Sequence, residues 1–365
     1  MQETIKILVV DDSPVARMLL VEILKSDPRV NVLATVHNGE SALEYLRNSR
    51  PDVVLMDIHM PGLNGYETTR LIMESQPVPI VICSATFDPE DVANTFHALD
   101  AGAVALVAKP VGPADPEFAK IADKLLETVM LMSEVRVVKR WPRRRGNGIP
   151  NTAMAGAAGP PTAAFRVVAI GTSTGGPPVL QMILAGLPRN FSVPVLIVQH
   201  IATGFLPGLV EWLTLTTGFP THIGRHNEPL LPGRAYLAPD GYHMGASLDG
   251  RIALSNQDPE NGLRPAVSYL FRSVAAACGS HVLAVLLTGM GKDGAEELKL
   301  LKDLGAVTVV QDAESSVVHG MPGEAIKLGA ASYVLRPERM SAVLAGWASA
   351  NSRAPWPDVN DRSSS

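Results

Sequence analysis

The chain has 365 residues, 46% of them apolar and 18% charged, with a formal net charge of −5. That length is too great for one comfortable core and predicts two domains of ordinary globular composition. There is no cationic excess to neutralise phosphates, which argues against a nucleic-acid partner.

Its two cysteines, Cys83 and Cys278, lie far apart inside apolar segments. They read as buried thiols, not a disulfide framework, and fit a reducing compartment. The start, "MQETIKILVVDDS", has no basic stretch before its short apolar run, so it reads as a first strand and not a secretion signal. No apolar run is long enough to span a bilayer, so no membrane insertion is expected and the predicted location is cytoplasmic.

From the N-terminus, "IKILVV", "VNVLATV", "DVVLMD", "PIVICS" and "AVALVAK" read as five strands. Between them, "PVARMLLVEILKS", "GESALEYLRNS", "GYETTRLIMES" and "EDVANTFHALDAG" carry helical spacing, and "EFAKIADKLLETVMLM" reads as a last helix. This alternation predicts a doubly wound α/β domain over residues 1–132, with a parallel sheet and ligands at its C-terminal strand ends. Residues 133–164 are first basic, then rich in Ala, Gly and Pro, and read as a flexible linker. The six basic residues between Arg136 and Arg145 suit a solvated hinge better than a nucleic-acid patch.

A second doubly wound domain is expected over residues 165–349, with strands "RVVAIG", "VPVLIVQH", "HVLAVLLTG", "AVTVVQD" and "ASYVLR". The stretch "GRAYLAPDGYHMGASLDGRIALS" reads as a β-hairpin excursion, with turns at Pro239-Asp240-Gly241 and Asp249-Gly250. Residues 350–365 are polar and read as a disordered tail.

In the first half, Asp11 and Asp12 follow one strand and Asp57 another, so parallel pairing would cluster three carboxylates. Such a cluster needs a hard cation, and Mg²⁺ suits oxygen ligands. Lys109 and Ser84 fall on the same sheet edge. Together, "VVDDS", "LMDIHMPGLNG" and "AKP" resemble the receiver (flavodoxin-like) domain of bacterial response regulators. The resemblance implies that Asp57 accepts a phosphoryl group, that Asp11, Asp12 and Asp57 hold Mg²⁺, and that Lys109 contacts the phosphoryl oxygens. Ser84 would be the switch hydroxyl, with Thr86 a rival. His59 departs from this branch, which more often has an acid there.

In the second half, Gly171-Thr172-Ser173-Thr174-Gly175 has the G-x-S-x-G form of a nucleophile turn between a strand and a helix. A phosphate loop is the alternative, but it lacks the expected lysine. His200 ends another strand at the edge where Ser173 should lie, while His226, His243 and His319 are placed less suggestively in loops. Asp293 follows a third strand and supplies a carboxylate to orient an imidazole. The same turn, Gly289 to Gly294, also fits a dinucleotide fingerprint with Asp312 on the ribose; against that, Asp293 would repel a pyrophosphate.

The stretches "IGTSTGGP", "VQHI", "GRAYLAPDGYHM", "LTGMGKDGA" and "VVHGMPGEAIKLGA" resemble the catalytic domain of the chemotaxis protein-glutamate methylesterases, the CheB family, a Rossmann-like fold. The resemblance implies that Ser173 is nucleophile, His200 general base and Asp293 orienting acid, with Thr174 and the Met290 backbone supporting the oxyanion. It further implies a phosphorylation-regulated serine hydrolase that demethylates glutamyl esters and deamidates glutamines on chemoreceptors, without a cofactor for the ester step. A chemotaxis histidine kinase would supply the phosphoryl group. Ala202 and Gly323 depart from the family's usual proline and arginine. A response regulator with a non-catalytic binding output, or a dinucleotide enzyme at Gly289–Gly294, are the rival readings.

Overall fold

The computed structural model describes residues 4–84, 96–135, 137 and 164–350. The chain forms two compact units, Met1–Asn151 and Thr152–Ser365. Nearly all of the segment read as a linker, and residues 351–365 of the tail, lie outside the described residues.

The first unit is built on β1 (Ile5–Val10), β2 (Val30–Val36), β3 (Val53–Met56), β4 (Ile80–Ser84) and β5 (Ala105–Ala108). They form one parallel sheet in the order β2-β1-β3-β4-β5. Every residue of β3 and β4 is buried, as expected for strands covered on both faces. Helices α1 (Pro14–Lys25) and α5 (Phe118–Met132) pack together, as do α2 (Gly39–Asn48) and α3 (Gly65–Ser75). The side chains of Ser13, Asn38 and Asn64 cap α1, α2 and α3, each accepting from a backbone amide in the first turn. Residues 96–101 are helical and are numbered α4; residues 85–95, which include Thr86, lie outside the described residues.

The second unit carries β6 (Val167–Thr172), β7 (Val195–Gln199), β8 (Thr221–Ile223), β9 (Ala235–Leu237), β12 (Val282–Leu286), β13 (Val307–Gln311) and β14 (Tyr333–Leu335). All seven are parallel, in the order β14-β13-β12-β6-β7-β9-β8. The chain therefore leaves β6 in one direction through β7 and returns to its other side with β12. Helices α6 (Gly176–Ala185), α7 (Leu206–Thr217) and α11 (Pro337–Ala350) form one packed group. A second group is α8 (Val267–Cys278), α9 (Ala295–Asp303) and α10 (Met321–Lys327).

The stretch expected to be one hairpin divides in two. Its first part, β9, joins the main sheet between β7 and β8. Only β10 (His243–Ala246) and β11 (Ile252–Ser255) form an antiparallel pair, turning at Asp249-Gly250. Pro239-Asp240-Gly241 is the link from the sheet to that pair. The pair is fastened to α8: Ser273 Oγ accepts from the Ala246 amide at 3.0 Å and donates to its carbonyl at 3.2 Å.

Both cysteines are buried and free, as their apolar surroundings suggest. Among the described residues no helix is long and apolar enough to cross a membrane.

Candidate active site

Ser173 and His200 are the first residues beyond β6 and β7, whose last residues, Thr172 and Gln199, are register partners. The two side chains are thus issued at one level from neighbouring strands. Backbone and side-chain bonds tie this level together: the His200 amide donates to Thr172 O at 3.0 Å. Gln199 Nε2 donates to the carbonyls of both Ser173 and His200 at 2.8 Å. On the other side, the Ser173 amide donates to Thr288 O at 3.0 Å, joining β6 to the end of β12.

Gly175 makes this turn possible. It is the N-cap of α6 with φ +77°, a left-handed conformation that costs a side-chain-bearing residue strain, and a Cβ there would lie 2.6 Å from Val317 Cβ. Gly175→Ala is expected to cost about 2–4 kcal/mol, combining the backbone strain with overpacking. A thermal melt of the full chain checks this.

Asp293 approaches from the turn after β12 and is buried. Its Oδ2 lies 2.9 Å from His200 Nε2, which pairs the carboxylate with the ring. The carboxylate also sits on the N-terminus of α8. Oδ2 accepts from the Val267 amide at 2.6 Å, and Oδ1 from the Ser268 amide at 2.9 Å and Ser268 Oγ at 2.5 Å. Free amides and the positive end of the helix dipole both favour an anion there. Burial pushes the Asp293 carboxyl up, but His200 and Ser268 more than offset it, and the net direction is down. The carboxylate therefore stays ionised and aimed at the ring. Ser268 and the α8 amides escape a sequence reading, because they lie 25 or 26 residues from Asp293.

Thr174 is half-buried and its carbonyl accepts from Thr288 Oγ1 at 3.0 Å. Met290, also half-buried, follows Gly289, where an added Cβ would fall 2.7 Å from Ser173 Cβ. The turns carrying both residues therefore meet beside the serine.

In the first unit, Val10 and Met56 are register partners, so Asp11 and Asp57 emerge side by side. Lys109 Nζ lies 2.8 Å from an oxygen of each, and the Lys109 amide donates to Ser84 O at 2.9 Å. Asp11, Asp12 and Asp57 each offer an oxygen within 4.8 Å of the others. Burial pushes the Asp57 carboxyl up; Lys109 draws it down without cancelling that, and Asp11 adds to the rise. Such an all-oxygen, charge-crowded donor set fits a hard divalent cation such as Mg²⁺. Ser84 is buried at the end of β4 on this edge.

Residues 168–344 match the CheB methylesterase family and residues 7–117 the response regulator receiver domain. A protein-glutamate methylesterase/protein-glutamine glutaminase of Nitrosospira multiformis is 53% identical over 340 residues, covering 93% of this chain and 96% of that protein. The chain belongs to the CheB family. A second member, from Geobacter metallireducens, is 53% identical over 345 residues, covering 93% of this chain and 98% of its own. The crystal structure of the Thermotoga maritima CheB methylesterase catalytic domain is 36% identical, covering 50% of this chain and 99% of its own, with a TM-score of 0.48.

Against this CheB background the rival readings lose ground. Asp312, the would-be ribose ligand, already accepts from the Ser315 amide and hydroxyl and lies 3.4 Å from Arg336 Nε. Dinucleotide binding is not favoured. Of the family departures, Gly323 lies under His319: a Cβ there would come 3.1 Å from the ring, so an arginine would require the ring to move. Ala202 is half-buried in the turn after His200, and His59 is exposed.

Proposed function

We propose that the chain is a phosphorylation-regulated protein-glutamate methylesterase and protein-glutamine glutaminase, acting on the cytoplasmic domains of methyl-accepting chemoreceptors. The observation that carries this reading is the convergence of Ser173, His200 and Asp293 at adjoining strand ends, with His200 Nε2 2.9 Å from Asp293 Oδ2, in a chain of the CheB family. Residues 1–132 are the receiver, 133–164 the linker, 165–349 the catalytic domain and 350–365 a tail.

In this reading Asp293 holds the proton of His200 on Nε2, which leaves the Nδ1 lone pair for Ser173. Ser173 Oγ attacks the ester carbonyl as Nδ1 takes its proton. The tetrahedral oxyanion is met by backbone amides at Thr174 and Met290. The proton then passes to the leaving methoxide, methanol departs, and water, deprotonated by the same ring, releases glutamate. A glutamine substrate follows the same course with ammonia leaving. The ester step uses no cofactor.

Regulation rests on the first unit. Asp57 is the phospho-acceptor, Asp11, Asp12 and Asp57 the residues that would hold Mg²⁺, and Lys109 and Ser84 the groups that respond. Bound Mg²⁺ would offset the charge of the acidic cluster and of the phosphoryl oxygens. A chemotaxis histidine kinase is the donor, and a cytoplasmic location follows from such partners.

The test is methanol release from membranes carrying methylated chemoreceptors. The full chain is expected to release methanol, and a small phosphodonor with Mg²⁺ to raise the rate. In Asp57→Asn the basal rate is expected to remain while the stimulation disappears. No methanol from the wild type would overturn the activity; equal stimulation of Asp57→Asn would overturn the phospho-acceptor.

A further inference from the structure

We propose that His243, outside the triad, is a positioning residue for the ester reaction, acting through the N-terminus of α8 on Asp293. The proposal rests on the reading of Ser173, His200 and Asp293 as the triad. His243 lies in β10 and is fully buried. Its Nδ1 accepts from the Ala266 amide at 3.2 Å, and its Nε2 faces Asp258 O at 3.2 Å. An imidazole nitrogen that accepts from an amide carries its lone pair there, so the proton sits on Nε2 and is given to the carbonyl. The ring is thereby held as one tautomer between two fixed backbone groups.

Ala266 is the N-cap of α8 and has no side chain with which to cap the helix. The next two amides, of Val267 and Ser268, grip the two oxygens of Asp293 at 2.6 and 2.9 Å. The peptide fixed by His243 is thus directly joined to the donors that aim the catalytic carboxylate. The ring also stacks on Tyr269 of α8, with centroids 4.7 Å apart and planes 16° from parallel. Stacking holds the layer together, whereas the bond to Ala266 sets where the α8 amides lie. A shift of those amides turns Asp293 away from His200, and misplacement on the order of 1 Å is enough to slow such chemistry up to about 10²-fold.

The two contacts separate by substitution in the full chain, reading kcat, KM and the melting temperature with methylated receptor membranes as substrate. His243→Asn keeps an acceptor at the position of Nδ1, whereas His243→Gln carries its amide to the position of Nε2 and leaves Ala266 unpaired. Both lose the stack. His243→Gln is expected to lower kcat about 10-fold or more at unchanged KM, and His243→Asn to stay within about 3-fold of wild type. Tyr269→Leu removes the stack alone and is expected to lower the melting temperature with kcat unchanged.

Equal kcat in the Asn and Gln variants, or a fall in Tyr269→Leu as large as in His243→Gln, would reduce the ring to packing and overturn the proposal. If His243→Gln does not fold, His243→Leu, which fills the volume without an acceptor for the Ala266 amide, takes its place: kcat about 10-fold or more below that of His243→Asn at unchanged KM supports positioning, and equal kcat in the two overturns it. Asp293→Asn run alongside separates the levels. Wild-type turnover in that variant would remove the acid assignment itself, whereas its collapse beside unaffected His243 variants would remove this proposal alone.

Discussion

Ser173→Ala is expected to lower kcat for methanol release by about 10⁴-fold or more, with KM and melting temperature close to wild type. The substitution deletes one oxygen from a side chain that is 6% exposed, and it leaves the backbone bonds of residue 173 to Thr288 and Gln199 in place. Binding surfaces are unchanged, so the loss belongs to the chemical step. Trapping a serine-directed reagent on wild type and not on the variant would give the same answer without receptor membranes. A variant that keeps even a tenth of the rate would remove Ser173 as nucleophile.

Asp293→Asn is expected to cost about 10⁴-fold in kcat, although it changes one oxygen to a nitrogen. Both oxygens of Asp293 are surrounded by donors: Oδ2 by the Val267 amide and His200, Oδ1 by the Ser268 amide and hydroxyl. An amide group must therefore turn its NH₂ toward another donor. Facing His200, it draws the ring into the tautomer with the proton on the wrong nitrogen. Facing the helix, it leaves a buried amide unpaired, at about 1–3 kcal/mol of stability.

The pH dependence of that stability has a definite sign. The Asp293 carboxyl is held below its ordinary range in the folded chain, so the folded state gains from it at neutral pH and loses the gain as pH falls through the folded value. The stability gap between wild type and Asp293→Asn is thus full at neutral pH and narrows in acid. Denaturant melts across that range would show it; a constant gap would mean that the carboxylate is not the stabilising form.

Much of this architecture is legible in the sequence because buried parallel strands announce themselves as uninterrupted apolar runs. "DVVLMD" and "HVLAVLLTG" could be little else, and the residues ending such runs are the ones a parallel sheet brings to one edge. Asp57, Lys109, Ser173 and His200 all stand at such ends. What escapes a sequence reading does so for physical causes. β8 and β9 have three residues each, too short to show any period, so β9 reads as continuous with the hairpin that follows it. The cradle of Asp293 is made of backbone amides, which every residue carries, and of one serine inside a helical pattern. His243 is visible as a histidine but not as a partner of Ala266, 23 residues further on.

The depth at which Asp293 and His200 meet, with side chains 3% and 12% exposed, has one more consequence. Counter-ions penetrate such a contact poorly, whereas charges on the surface are blurred within about 10 Å at 0.1 M salt. Added salt should therefore leave the internal step of turnover almost untouched and act on how often enzyme and receptor collide. Ionic strength then becomes a dial that separates encounter from chemistry in a single titration.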